Sequence, residues 1–176
     1  MVKEFPGKGR GLVAARDIEK GEMIFKDKPV IKLAIDAEGK IKDPKFMMTP
    51  LKQQIDCLPS EAKAQFHKLA THDVNICHSL NLSSSDKKVL EKFWCNSKYS
   101  SSGHAILHLN LALVNHSCQP NATHRSRLNK ANEGLELRAI KDIRKGEEIT
   151  ICYFNGVQEL GSNLRLELDC GFDDGA

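Results

Sequence analysis

Two stretches with the alternation of β-strands bracket a middle with helical spacing, and this order limits the fold more than any other feature. Residues 10–35, RGLVAARDIEKGEMIFKDKPVIKLAI, are short apolar and β-branched runs broken at Glu19-Lys20-Gly21 and Lys28-Pro29, both turn signals. Residues 36–45, DAEGKIKDPK, read as a polar loop, and from Phe46 the character changes. Ser60 precedes EAKAQFHKLA, where Ala62, Phe66 and Leu69 share a helical face, so Ser60 is the expected N-cap. Ser85 or Asp86 is expected to start a second helix, with Val89, Leu90, Phe93 and Trp94 on one side. Ala105 to Val114 fits a helix in part, although LHLNLALV also alternates like a strand. Alternation returns in GLELRAI, with Leu135, Leu137 and Ala139 set against Glu136 and Arg138. A Lys145-Gly146 turn follows, then EEITICYF with Ile149, Ile151 and Tyr153 in alternation. The tail, 155–176, holds one short helical stretch, SNLRLELD. Strands, a helical insert and strands again predict an α+β fold. The expected organisation is a single domain over 1–176. Its parts are N-terminal strands at 1–35, a helical insert at 36–100, a C-terminal core at 101–154 and a short tail at 155–176.

With 176 residues the chain can bury a substantial core. A net charge of +3 is too weak to argue for a direct nucleic-acid partner. No apolar run approaches the ~20 residues of a membrane span, and MVKEFPGKGRG has no apolar signal region. The six cysteines are scattered without a CxxC pair. An intracellular location with free thiols is therefore expected. The triplets at Asn81, Asn115 and Asn121 that match a glycosylation acceptor are read as chance.

Several short motifs carry chemistry. GKGRG at 7–11 lets backbone approach a ligand closely, and Lys8 and Arg10 suit a carboxylate. It lacks the Lys-Ser/Thr ending of a P-loop and the preceding strand and third glycine of a dinucleotide fingerprint. A plain chain terminus fits it too. His104 and His108 have i, i+4 spacing that can bind zinc on a helix, but no Glu or Cys nearby completes a set. His67 and His72 lack partners in the same way. NHSCQPN at 115–121 crowds polar groups directly after the apolar LNLALV. As a nucleophile site it needs Cys118 activated by a base, and His116 stands two residues away. As a turn, Gln119-Pro120-Asn121 is adequate by itself. Composition leaves these readings open. ARDIEKGEMIF at 15–25 also resembles AIKDIRKGEEIT at 139–150, as if one hairpin geometry selected one turn chemistry twice.

The combination decides. GKGRGLVAARDIEKGEMIF, then NHSCQPNAT, then AIKDIRKGEEITICYF, in this order, resembles the SET-domain family of protein-lysine methyltransferases over nearly the whole chain. WCNSKYS at 94–100 and RLELDCGF in the tail resemble the SMYD branch of that family. The sequence contains neither the Cys-rich MYND finger nor the C-terminal helical repeats of that branch, so a minimal SMYD-like SET domain is expected. The resemblance implies small curved β-sheets around a pseudoknot, where the chain near NHSC lies against the segment ending in Tyr153. It implies S-adenosylmethionine as cofactor, S-adenosylhomocysteine as its product, and the lysine of a histone or other protein as acceptor. A nuclear or cytoplasmic location follows.

By matching positions, Lys8, Gly9 and Arg10 line the cofactor's methionine end, and Asn96 gives it a polar contact. Asn115 and His116 hold its amino group and adenine region, and Phe172 covers the adenine. Tyr153 is the catalytic residue where cofactor and lysine pockets join, with Tyr99 and Cys170 as further walls of the lysine channel. In zinc-bearing relatives Cys118 joins three cysteines of the tail. Here the tail reads CGFDDGA, with Asp174 and Ala176 where cysteines would stand, so no metal is expected. Cys170 and this tail favour the competing reading, a non-catalytic module that binds cofactor or a peptide.

Overall fold

The structure is a computed structural model that describes residues 1–35, 44–71, 81–100, 103–129 and 132–153. The chain divides into two compact units. One joins Met1–Pro29 to the segment that begins at Asn110, and the other centres on Val30–Leu109.

The first unit contains two sheets. Strands β1 (Val2–Phe5) and β2 (Gly9–Val13) form a hairpin, and β2 pairs antiparallel with β10 (Glu148–Ile151). On its other side β10 runs parallel to β7 (Asn115–His116). The order is therefore β1-β2-β10-β7. GKGRG is no loose terminus: Gly7 and Gly9 take φ of +73° and +71° at the hairpin turn, where only glycine is unstrained. The second sheet orders β3 (Met23–Asp27), β9 (Asn132–Ala139) and β8 (Ala122–Asn129). In β9, Leu135, Leu137 and Ala139 are buried in the core as their alternation predicts. Glu136, on the opposite face, is also buried, and its carboxylate is held by Lys26 at 3.5 Å and Arg138 at 3.2 Å. Strand β10 is central, so Thr150 is buried beside Ile149 and Ile151.

The two similar segments do not form two independent hairpins. They pair with each other about a local two-fold. Ile18 and Ile143 exchange backbone bonds of 2.8 and 2.9 Å. The Lys20 N–H donates to Asp142 Oδ1 at 2.8 Å, and the Lys145 N–H to Asp17 Oδ1 at 2.7 Å. Gly21 N–H reaches Ala139 O and Gly146 N–H reaches Ala14 O, both at 2.8 Å.

The second unit has a sheet of order β4 (Ile31–Ala34), β6 (His104–Leu107), β5 (Ser97–Ser100) and three described helices. Helix α1 is Pro44–Asp56, α2 is Ser60–His67 and α3 is Ser84–Asn96. Gln54 of α1 covers the edge of β4 by accepting from Lys32 N at 2.9 Å and donating to Lys32 O at 3.0 Å. Phe66 of α2 is fully buried and Leu69 is buried just past the helix end, while in α3 Leu90 and Phe93 are fully buried, as expected of its apolar face. The caps differ from expectation. Ser60 is the first helical residue, and Pro59, which has no side-chain capping bond, takes the cap position. For α3 the cap is Ser83, whose Oγ accepts from Asp86 N at 3.1 Å. Three serines in a row can all cap, and the one three residues before Asp86 reaches the N3 amide. The ambiguous 105–114 stretch is strand first, then a 3-10 turn at Leu111–Leu113. The tail helix SNLRLELD lies outside the described residues. No helix among them is long and apolar enough to cross a membrane.

Candidate functional site

NHSCQPN grips β10 at three points. Thr150 and Ile151 pair with Asn115 and His116 in the parallel register, and Ser117 N donates to Ile151 O at 3.0 Å. Asn121 is buried and fully engaged: Nδ2 donates to Glu148 O at 2.8 Å and Glu147 Oε1 at 3.1 Å, while Oδ1 accepts from Thr150 N at 2.9 Å. Asn115 Nδ2 donates to Glu148 Oε1 at 2.8 Å. Both asparagines therefore bind the GEEIT segment. This is the contact that the expected pseudoknot requires.

A buried carboxylate fixes the approach to the motif. Asp27, at the end of β3, accepts from Asn110 N at 2.8 Å, Leu111 N at 2.9 Å and Asn110 Nδ2 at 3.2 Å. These amides open the 3-10 turn that delivers Val114 and Asn115.

Tyr153 closes the site. Its hydroxyl donates to Val114 O at 2.8 Å, and its ring centroid lies 5.3 Å from that of His116. Tyr153 as a whole keeps 37% of its surface exposed, and the partial burial of its side chain, helped by the negative charge of Glu148, pushes its pKa up to about 12. The Tyr153 backbone N–H donates to His116 Nδ1 at 3.1 Å. A backbone amide can only donate, so Nδ1 carries a lone pair and Nε2 carries the ring proton. Nε2 lies 3.4 Å from Cys118 Sγ. It thus donates toward sulfur and cannot take the thiol proton, which removes His116 as an activating base for Cys118.

Beside Asn115 lies a pair of opposite charges. Lys8 Nζ is 4.0 Å from Glu148 Oε2. Gly11 is packed against Asn115, Glu148 and Phe5 of β1: an added Cβ would meet Asn115 Nδ2 at 2.6 Å, and Glu148 Oε1 and Phe5 Cε2 at 2.8 Å. Lys8, Glu148 and the Asn115 amide offer a cation, an anion and a primary amide side by side, which match the charges of a zwitterionic amino-acid head. The donor set therefore fits the methionine end of the expected cofactor.

Of the expected site residues, Lys8, Gly9, Arg10, Asn115, His116 and Tyr153 belong to the first unit, on or beside β2, β7 and β10. Asn96 and Tyr99 belong to the second. Asn96 Nδ2 donates to Ala70 O at 2.9 Å and Lys92 O at 2.8 Å, and Tyr99 packs edge-on to Trp94 at 5.9 Å. Cys170 and Phe172 lie outside the described residues, as do Asp174 and Ala176. His104 sits on β6 and buried His108 just beyond it. They share no helix face, so the i, i+4 argument lapses. Among the described residues no group of three or more His, Cys, Asp or Glu could hold a metal ion. Sequence reasoning missed Glu148 and Asp27. The first was hidden inside the GEEIT motif without a role, and the second stood without a role in the strand-like run just before the Lys28-Pro29 turn.

Comparison with known proteins gives the same direction. The human histone-lysine N-methyltransferase SMYD3 is 39% identical over 83 residues, which cover 43% of this chain and 18% of that protein. The SET domain-containing protein L678 of Acanthamoeba polyphaga mimivirus is 28% identical over 188 aligned positions, covering 94% of this chain and 71% of that one. Among solved structures, Plasmodium falciparum PFL0690c aligns with a TM-score of 0.47 and 17% identity over 87% of this chain and 90% of that one. The model of the SET domain matches residues 9–154. With its paired NHSCQPN and GEEIT segments inside that match, the chain belongs to the SET-domain family.

Proposed function

We propose that this chain is a protein-lysine N-methyltransferase that uses S-adenosylmethionine and acts on a lysine of a histone or another protein. Membership of the SET-domain family and the similarity to SMYD3 support the reaction class. The observation that carries the reading is the state of Tyr153.

Bound, S-adenosylmethionine supplies an electrophilic methyl group on a sulfonium, open to in-line attack by a neutral amine. The residues of the chain then have to position and exclude rather than react. Lys8, with Gly9 and Arg10 beside it, is suited to the cofactor's carboxylate, and Asn115 with His116 to its amino group and adenine side. Asn96 and Phe172 complete the set carried over from the family. The same resemblance carries over Tyr99, Tyr153 and Cys170 as walls of a lysine channel. The Tyr153 hydroxyl has its proton committed to Val114 O, so its oxygen acts as an acceptor. With a pKa pushed up to about 12, it stays neutral at physiological pH and is no general base. Such a group orients the N–H bonds of an incoming amine or the C–H bonds of a methyl group. Loss of the amine's proton follows from desolvation in an apolar channel near a cationic sulfonium. No step needs a metal or an enzyme nucleophile.

The test is transfer of labelled methyl from S-adenosylmethionine to histones and lysate proteins, with melting temperature measured with and without cofactor. A ligand that binds only the folded state raises that temperature. Wild type is expected to show both shift and transfer. Tyr153→Phe keeps the shift and loses most of the transfer. A shift without transfer in wild type would favour the binding-module reading. Neither would remove the cofactor, and full transfer by Tyr153→Phe would remove Tyr153 from the mechanism.

A further inference from the structure

We infer that Glu148 is a positioning residue for cofactor recognition: its carboxylate locks the Asn115 carboxamide with Nδ2 inward, so that Oδ1 is presented to the ligand's ammonium group. The inference rests on the cofactor reading above and assigns a role to a residue that reading leaves unused.

The argument is one of donors and acceptors. A primary amide is nearly symmetric in shape, and its two ends differ only in hydrogen-bonding sense. Beside a neutral partner it can turn over at little cost. An ionised carboxylate accepts only, so at 2.8 Å from Glu148 Oε1 the Asn115 amide must present Nδ2. The reversed amide would set oxygen against oxygen inside a partly buried pair. Crowding holds the pair in place. Gly11 leaves no room for even a methyl group against Asn115 Nδ2 and Glu148 Oε1. Parallel pairing of β7 with β10 fixes both backbones, with Asn115 opposite Thr150. Asn121 anchors the Glu148 carbonyl from the other end of the motif. The side chain of Glu148 is only 17% exposed, so water screens the lock weakly.

Glutamine at 148 separates positioning from plain structural bonding. It has the shape of glutamate and can bond Asn115 either way round. A merely structural residue would therefore be replaced without loss, whereas a lock would be released. The readout is calorimetric binding of S-adenosylhomocysteine and of its analogue with hydrogen in place of the α-amino group. Both ligands keep the carboxylate, so any effect transmitted through Lys8 appears in both. In wild type the analogue is expected to bind about tenfold more weakly. Glu148→Gln should lose most of that advantage for S-adenosylhomocysteine and bind the analogue within about twofold of wild type. In an Asn115→Ala background, Glu148→Gln should change nothing further, since the coupled partner is gone. Wild-type affinity in Glu148→Gln, or equal loss for both ligands, overturns the lock. Asn115→Ala alone decides the matter if the glutamine variant does not fold. It must weaken the parent ligand and spare the analogue, and equal effects on both overturn the inference. If wild type binds neither ligand, it is the cofactor reading that falls.

Discussion

Replacing Asp27 tests whether the approach to NHSCQPN is held by one buried carboxylate. Asp27 is 6% exposed and accepts three hydrogen bonds, two of them from consecutive backbone amides at the start of the 3-10 turn. Each bond to a charged acceptor is worth roughly 1.5–3 kcal/mol, and an orphaned buried donor costs about 1–3 kcal/mol. The three do not add, because removing the carboxylate also relieves its own desolvation. Asp27→Ala should therefore cost about 3 kcal/mol. Asp27→Asn can keep its one oxygen where the two backbone amides converge, but it loses the acceptor's charge and sets its NH2 against Asn110 Nδ2, and should cost about 2 kcal/mol. For a chain of this size that is a fall in melting temperature of about 6–12 °C for alanine and about 4–8 °C for asparagine. Circular dichroism melts and urea titration check it, and the urea midpoint should fall at constant slope. The loss should be larger than for an exposed acid such as Glu61, whose replacement lies within about 0.5 kcal/mol of neutral. The same turn delivers Val114, whose carbonyl receives the Tyr153 hydroxyl. Asp27→Ala should accordingly weaken cofactor binding as well. A melting temperature within 2 °C of wild type would refute the reasoning.

Two further outcomes follow from the site. The chain has only two tyrosines, so alkaline absorbance titration can resolve Tyr153 at a pKa of about 12, absent in Tyr153→Phe and lowered in Glu148→Gln. Because the folded value is raised, the associated stability is fully present below the unfolded value near 10 and is lost as pH climbs through about 12; two tyrosines titrating together near 10 would contradict the burial argument. Gly11→Ala should disrupt the Asn115–Glu148 bond, since its Cβ would sit 2.6 Å from Asn115 Nδ2 and 2.8 Å from Glu148 Oε1. Calorimetry should show at least tenfold weaker cofactor binding with a stability loss of about 1–3 kcal/mol, and unchanged affinity would mean that the pair is not part of the pocket.

Strands were legible where one face is buried and the pattern is strict, as in β9, with Leu135, Leu137 and Ala139 all in the core. Strand β1 was not, because Val2 to Glu4 are all exposed and the strand is held by its partner β2 rather than by burial. Helix α1 was hidden by Pro50 in its interior and by the lack of acidic residues in its first turn. It forms because Met47, Met48, Leu51 and Ile55 are buried, so packing overrides a weak local signal. At the candidate site, the residue types of NHSCQPN announced dense hydrogen bonding but not its partners. Those partners lie about 30 residues on, in β10, and a side chain's partner across a sheet has no sequence periodicity. Asp27 shows the same limit: Asn110 is 83 residues away.

The repeated Asp-Ile-x-Lys-Gly-Glu segment shows what a repeat can mean short of duplication. Turn chemistry alone explains why each copy has Lys-Gly, since Gly21 and Gly146 take φ of +88° and +86°. It does not explain the matching Asp-Ile. Those residues face the other copy: Asp17 receives Lys145 N–H, Asp142 receives Lys20 N–H, and Ile18 pairs with Ile143. A contact with two-fold symmetry requires both sides to offer the same groups, the rule that governs symmetric dimers, here acting within one chain. The two copies are separated by more than 110 intervening residues, and closing so long a loop is costly in entropy. A contact made twice by the same geometry gives two sets of bonds for a single closure. It therefore ties Met1–Pro29 to the segment from Asn110 onward whatever the intervening insert contains. Glu22 and Glu147 complete the two turns, as their carboxylates accept from Glu19 N at 3.2 Å and Arg144 N at 3.0 Å. Only the C-terminal copy then runs on into Glu148 and β10. The N-terminal turn leads into β3 and Asp27, and the C-terminal one aims the strand that carries Glu148 toward Asn115.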